Sequence, residues 1–383
     1  MRRRDISAVL FASAAGSTLL AKQAQAQSCS LPCYPRTPAE ISGSIMPSNF
    51  EFPPGNVKRY GATGNPSGDD TTAIAVALQV NDEVFFPPGV YRIFAGLTLR
   101  PGMRIIGANK TTTTIEGWVH NMTMLSISGG HSNVEIRDIT LYGRNTAQYG
   151  FYSNSPSQGS SSGLILDNVV VSGCTHTNIW IKYMTYGTLT NVTSAGYQSN
   201  TDYGLYFDHC YNMNVHDSLF YDCVSAGVVL DQCSIVNLVD SVIFTNPAIS
   251  APRLCLITKS NACGLVRCTL EAQGAAMVTS ELDIDSSNTV YTVGTFVHDC
   301  NFYGVAVSKT RCARLGSSGT VYKTTFRGCR FFKPSIEESI LSTLQQATLI
   351  DDCNDVTSYA QTSYTAVSVQ NDSGNTIYYR NRI

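Results

Sequence analysis

Residues 57–107 contain VKRYGATGNPSGDDTTAIAVALQ (57–79), DEVFFPPGVYRI (82–93) and LTLRPGMRIIG (97–107). A short apolar start at Val57 runs into a loop rich in Gly, Asn and Asp. Asp69, Asp70 and Thr71 can accept the free N–H groups of a first helical turn. Ile74, Ala77 and Leu78 follow on one helical face, which predicts a helix over Thr71–Leu78. The next two segments are short and apolar, and Pro and Gly bound them, so they read as strands. One helix followed by a train of short strands is therefore the organisation to look for downstream.

That train continues as a repeat. An apolar strand, a small or polar turn residue and a second apolar strand recur as VEIRDITL, LILDNVVV, GTLTNVTS, NVHDSLF, NLVDSVIF, GLVRCTL, FVHDCNF, TTFRGCRF and TLIDDCN, 23 to 31 residues apart. This period is that of a solenoid, in which each unit buries its apolar face only against its neighbours. The turn position falls at Asp138, Asp167, Asn191, Asp217, Asp240, Cys268, Asp299, Gly328 and Asp351. Asp, Asn and Gly tolerate left-handed backbone and bond their own main chain, so this acidic column reads as turn chemistry and not as an active site.

The 57–107 stretch resembles the opening of the pectate-lyase-like superfamily of right-handed parallel β-helix proteins, including polysaccharide lyases and polygalacturonases. The resemblance implies an all-β, single-stranded solenoid with an N-terminal cap helix, and a polysaccharide as the partner. The expected divisions are an export signal at 1–26, an extended lead-in at 27–56, the β-helix at 57–355 and a C-terminal cap at 356–383. Within that cap, Asn371–Asn375 reads as a hairpin turn.

A second strand of each repeat carries the candidate chemistry. Aligned, these strands are GFYSN (150–154), NIWIK (178–182), GLYFD (204–208), GVVLD (227–231), LCLI (254–257) and ELDID (281–285). Alternation sends Phe151, Ile179, Ile181, Leu205, Phe207, Val228, Leu230, Leu282 and Ile284 inward. The outward columns are then Tyr152, Trp180, Tyr206, Val229 and Asp283, and beside them Asn154, Lys182, Asp208, Asp231, Ile257 and Asp285. Aromatic faces stack on sugar rings while the polar column bonds hydroxyls, which makes Trp180, Tyr206, Tyr152, Asn154, Arg253, Asp283 and Asp285 candidate substrate contacts.

Asp208 and Asp231 share a register in adjacent coils, about 5 Å apart, and paired carboxylates at that spacing suit a retaining glycosidase. Around them, Asn200-Thr201-Asp202 resembles the Asn-Thr-Asp motif of polygalacturonases. Ser225-Ala226-Gly227 stands where that family has Gly-Asp-Asp, and no Gly-His-Gly follows, so Asp202 reads as a turn residue. Tyr203-Gly204 ahead of Asp208-His209 is similar to the signature of mannuronan C5-epimerases, with different spacing. Proton abstraction at a sugar C5 would use Tyr203, His209 or Lys182 as base, and Lys182 or Arg253 to neutralise the uronate. Hydrolysis is slightly favoured at this stage. A lyase or epimerase and a non-catalytic glycan-binding protein are the alternatives.

Composition agrees with an exported solenoid. Charged residues are 14% of the chain, against roughly 25% in ordinary globular domains. Arg2-Arg3-Arg4, a mildly apolar run from Ala8 to Leu20 and Ala24-Gln25-Ala26 read as a twin-arginine export signal, implying a periplasmic or secreted protein. The remaining chain has a net charge of about −5 and no basic cluster, which argues against nucleic acid. No later segment is apolar for long enough to span a bilayer. The chain has 13 cysteines. Cys29 with Cys33 and Cys263 with Cys268 are near enough in sequence to bridge, and most of the others read as small apolar fillers. The spacing matches no zinc site, no calcium-type carboxylate cluster occurs, and no cofactor is called for.

Overall fold

The computed structural model describes residues 33–380 except 131, 158, 197–200, 247–248, 274–277, 305–308, 333–337 and 357–363. The expected export signal and Cys29 lie outside the described residues.

Most strands go in turn to three sheets of 12, 12 and 11 strands, and three short ones, Thr292–Val293, Val321–Tyr322 and Gln345–Gln346, pair in a fourth. We call the large ones sheet A, from Glu83–Phe86 to Ile377–Arg380, sheet B, from Gly89–Ile93 to Tyr364–Ala366, and sheet C, from Leu97–Leu99 to Val369–Asn371. Neighbours within each are parallel, apart from the antiparallel pair of Asn354–Val356 with Tyr364–Ala366. Steric preference makes such crossovers right-handed, and the molecule is a right-handed parallel β-helix. Nine coils carry the repeat read in the sequence. The coils beginning at Glu83 and Arg104 precede them without its signature.

The first coil is closed by a helix, Thr71–Val80, with Ile74, Ala77 and Leu78 buried as its pattern predicts. Asp69, one residue before the N-cap position Asp70, accepts from the Thr71 N–H at 2.9 Å. Asp70 faces the other way and accepts from the Thr63 and Gly64 N–H groups at 2.6 and 3.2 Å, which ties down the glycine-rich loop. The lead-in is less extended than its composition implies. A short helix, Pro38–Ser42, brings Glu40 against Arg59 at 2.7 Å, and both side chains are fully buried. Cys33 is disulfide-bonded.

Two columns of left-handed residues turn the chain at its corners. Between sheets A and B they are Asp138, Asn168, Asn191, Asp217, Asp240, Arg267, Asp299, Gly328 and Asp352, with φ between 51° and 62°. Three sit one residue from their expected places: Asn168, Arg267 and Asp352 make the turn, while Asp167 and Asp351 end their strands. The following residue points inward each time, and Ile139, Val169, Val192, Ser218, Ser241, Cys268, Cys300, Cys329 and Cys353 form one buried file. The second column, Tyr183, His209, Gln232 and Lys259, turns the chain from sheet C back to sheet A.

Eleven described cysteines are free and buried, as the filler reading predicts. Cys263 and Cys268 are not bridged. The Gly264–Val266 strand separates them and each belongs to a different file, with the Cys268 N–H directed to Cys300 Sγ of the next coil at 3.4 Å. Nor is Asn371–Asn375 a hairpin. It passes the chain from sheet C to the last strand of sheet A, so solenoid pairing continues to Arg380. Among the described residues no helix is long and apolar enough to cross a membrane.

Candidate active site

Sheet C aligns the expected columns. Tyr152, Trp180, Tyr206 and Val229 share one register, and Asn154, Lys182, Asp208 and Asp231 another. The inward set, from Phe151 to Ile284, is buried throughout. One position needs correcting. Ile257 pairs with Leu230 and Ile284 and faces the core, so Leu256 and Thr258 continue the outward columns. The strand runs one residue further than its apolar core implies, to Thr258.

The aromatic column is a double file. Trp180 lies 5.7 Å from Tyr152 and 5.1 Å from Tyr206, ring centre to ring centre. Beside it stand Tyr149, His176 and Tyr203, with His176 stacked on Trp180 at 5.6 Å and Tyr203 edge-on to Tyr206 at 5.2 Å. Tyr149 and His176 were missed in the sequence, yet Tyr149-Gly150-Phe151-Tyr152 and Tyr203-Gly204-Leu205-Tyr206 are the same four-residue phrase. The glycine is required by close approach: a Cβ on Gly150 would lie 2.3 Å from Val171 Cγ1, and one on Gly204 2.5 Å from the Gly227 carbonyl oxygen. Only Gly lets the backbone sit this close to the core, with a tyrosine standing outward on each side of it.

Charges concentrate at the next register. Lys182 Nζ is 3.4 Å from Asp208 Oδ2, and His209 Nδ1 is hydrogen-bonded to Asp208 Oδ1. His209 is a turn residue, with φ 54°, and this conformation turns its ring back against the preceding carboxylate. Its Nε2 has no partner among the described residues. One coil further, Lys259 Nζ lies 2.8 Å from Asp231 Oδ1 and the Tyr206 hydroxyl donates to Asp231 Oδ2 at 3.2 Å. Burial, with Asp231 beside it, pushes the Tyr206 phenol well above its ordinary value, so it keeps its proton. Lys259 was not among the expected site residues, because its left-handed corner lies one residue outside the strand.

Other candidates have other duties. Asp283 is 1% exposed and held by Arg314 at 2.5 Å and Arg253 at 3.2 Å, so it reaches the surface only through them. Asp285 is buried, and burial raises its carboxyl. Hydrogen bonds from Ser317, Ser318 and Ser286 outweigh that and hold it below the ordinary carboxylate value. Those bonds make it the anchor of the 317–319 turn, not an open sugar contact. Asn154 is exposed at the end of the Lys182 register. The Asp202 carbonyl accepts from the Ser225 and Ala226 N–H groups of the next coil. Among the described residues no His, Cys, Asp and Glu side chains cluster as metal ligands. A cavity of about 430 Å³ lies on sheet A, where Arg104 is already engaged by Glu83 and Glu135, and Glu135 by Arg104 and Arg137.

Residues 55–247, half of the chain, match the family model described as Rhamnogalacturonase A/epimerase, pectate lyase-like. The chain belongs to this pectate lyase-like family. Its Tyr149–Asp231 site falls inside the matched residues. The chain is 35% identical over 106 residues to a mannuronan C5-epimerase, AlgE3, of Azotobacter vinelandii, a match covering 23% of this chain and 6% of that protein. The chain therefore spans only a small part of that relative's length. The same fold appears in the A-module of the mannuronan C-5 epimerase AlgE4 of Azotobacter vinelandii, at TM-score 0.55 and 16% identity over 86% of this chain and 97% of that one. It appears again in the catalytic unit of an α-1,3-glucanase of Streptomyces thermodiastaticus, at TM-score 0.52 and 13% identity over 85% of this chain and 68% of that one.

Proposed function

We propose that this pectate lyase-like protein acts on an extracellular, uronate-containing polysaccharide by removing the C5 proton, as an epimerase or a lyase. The observation that carries this reading is the convergence of Lys182 and His209 on Asp208. A carboxylate bonded to His209 Nδ1 fixes the tautomer that leaves Nε2 with its lone pair, the state a general base needs. Nε2 takes the C5 proton, and the electron pair left on C5 delocalises into the uronate carboxylate. Lys182 neutralises the charge that develops there. Tyr203 is the proton donor nearby, since the Tyr206 hydroxyl is committed to Asp231. Returning a proton to the opposite face of C5 inverts the sugar, whereas breaking the C4–O4 bond cleaves the chain. The matched stretch shared with a mannuronan C5-epimerase supports the same chemistry.

Hydrolysis, favoured on the sequence alone, keeps one specific support: Asp208 and Asp231 are register partners. A two-carboxylate glycosidase needs one member to hold a proton. Here each carboxylate faces its own ammonium, Lys182 or Lys259, an arrangement suited to neutralising charge rather than sharing a proton.

The test is incubation of the protein with a panel of neutral and uronate polysaccharides, followed by product analysis. Proton abstraction predicts either inverted C5 centres or unsaturated ends that absorb in the ultraviolet, on uronates only. Reducing ends without absorbance would transfer the roles to Asp208 and Asp231 as a hydrolytic pair. Binding without any product would leave a non-catalytic glycan-binding protein.

A further inference from the structure

We infer that Arg253 and Arg314, set over the buried carboxylate of Asp283, form a second anion subsite that binds a uronate carboxylate of the same polysaccharide chain, remote from the reacting sugar. This deepens the proposed function and rests on it for the nature of the polymer. Arg314 grips Asp283 through Nε at 3.1 Å and Nη2 at 2.5 Å, and Arg253 approaches through Nε at 3.2 Å. Ser280 also donates to Asp283, completing its coordination. Two guanidiniums around one carboxylate leave one positive charge in excess. The carboxylate is 1% exposed, while the arginines are 28% and 22% exposed. The acid is thus withdrawn from ligands while its partners are not. Nη1 of Arg314 and both Nη atoms of Arg253 have no partner among the described residues, and a planar fork with free donors suits a carboxylate.

Position supplies the rest of the argument. Arg253 lies two residues before the Val228–Cys255 pair, which places it in the file of Tyr203 and Ala226, and Arg314 continues the column of Val229, Leu256 and Asp283. The outward face of sheet C therefore changes from aromatic to cationic as it passes the Asp208–His209 centre. At ~4.8 Å per coil the subsite lies on the order of 10 to 15 Å from Asp208, roughly two to three sugar residues of an extended chain. A polymer along the helix axis then needs carboxylates at both places, which selects a run of uronates over an isolated one. All three residues lie beyond residue 247, where the family-model match ends.

The test is calorimetric binding of oligomannuronates and oligogalacturonates of graded length to the His209→Ala protein, with and without Arg253→Gln or Arg314→Gln. Short oligomers cover only the Asp208 coil, and long ones reach the Lys309–Leu315 strand. We expect long oligomers to bind more tightly than short ones, and each arginine change to remove about 10-fold of that advantage. Arg253→Gln keeps the two-bond Arg314–Asp283 grip, so it gives a folded variant even if Arg314→Gln unfolds, with thermal denaturation as the control. Equal affinity for long oligomers in both variants would overturn the subsite while leaving the proposed chemistry in place. Loss of affinity in the variants, with no C5 chemistry in the wild type, would uphold the subsite and overturn the proposed function. Failure of the parent protein to bind any oligouronate would overturn both.

Discussion

At the scale of single residues, each of the carboxylates Asp208, Asp231 and Asp283 on the outward face is met by one or two cationic or basic partners, and each member's loss should be read separately. Asp208→Asn removes the acceptor that orients His209, and His209→Ala removes the base. Each should lower turnover by about 10²- to 10⁴-fold, with little change in the thermal midpoint because neither side chain is in the core. Asp231→Asn should cost much less, since under proton abstraction it only holds Tyr206 and Lys259. Equal losses at Asp208 and Asp231 in steady-state kinetics would favour the hydrolytic pair. Glu40 makes the opposite case, a charge that serves stability. Burial raises its carboxyl, but hydrogen bonds from Arg59, the Thr37 N–H and Tyr60 outweigh this and bring it from 4.5 down to about 2. A carboxyl lowered on folding adds stability above its unfolded value, and that contribution is lost as pH falls from about 4.5 toward 2. Glu40→Ala, which leaves Arg59 buried and unpaired, should cost about 3–5 kcal/mol in denaturant unfolding at neutral pH. A loss below about 1 kcal/mol would contradict this burial argument.

At the scale of elements, the corner columns and the inward files govern the fold. Asn191 sits at φ 52° and donates to Asn168 at 2.9 Å, while Asn168 donates to Asp138 at 2.5 Å, a ladder between successive turns. Asn191→Val should destabilise by at least about 1–2 kcal/mol more than Asn191→Gly, because a β-branched residue is strained there while both changes lose the same two side-chain bonds, to Asn168 and from Lys110. Equal costs would mean that backbone conformation is not what the column selects. Buried cysteines outside the inward file that follows the corner turns make a chemical prediction as well. Burial pushes the thiols of Cys174, Cys223 and Cys255 well above their ordinary value. A polar thiol reagent should therefore label the free cysteines only on unfolding, and fast labelling in the native state would contradict the filler role.

These elements also explain what was legible. Strand alternation and the Asp/Asn/Gly turns are strong local signals, so the coils, the inward residues and the Asp208–Asp231 register could be read directly. Register errors arose where two turn-forming residues stand side by side, as at Asp167-Asn168 and Asp351-Asp352, or where a residue broke the usual preference. Arg267 takes the left-handed angle that Asp or Asn takes in neighbouring coils, and Thr258 ends a strand whose apolar core stops at Ile257. The site was legible in its columns but not in its pairings. Long side chains such as Lys259 and Arg314 bend between coils, and no spacing in the chain reveals which carboxylate they reach. Asp283 and Asp285 alternate correctly and are nonetheless buried, because Arg314 and the 317–319 turn, more than 25 residues on, cover them.

At the scale of the whole molecule, the β-helix works as a ruler. Its outward columns repeat at strand spacing, so a polymer lying along sheet C meets aromatic rings, then the Lys182–Asp208–His209 centre, then the arginines. Trp180→Ala should raise KM for a polysaccharide about 10-fold with kcat nearly kept, since it removes a stacking face and no reacting group. The most direct measurement of the central claim follows the C5 proton itself. A uronate polysaccharide is incubated with the protein in deuterated water, and the C5 resonance is followed by proton NMR. Proton abstraction at His209 predicts that the C5 signal is lost, with deuterium at inverted C5 centres or a new C4–C5 double bond, and that His209→Ala abolishes the change. Chain cleavage with every C5 proton retained would contradict it.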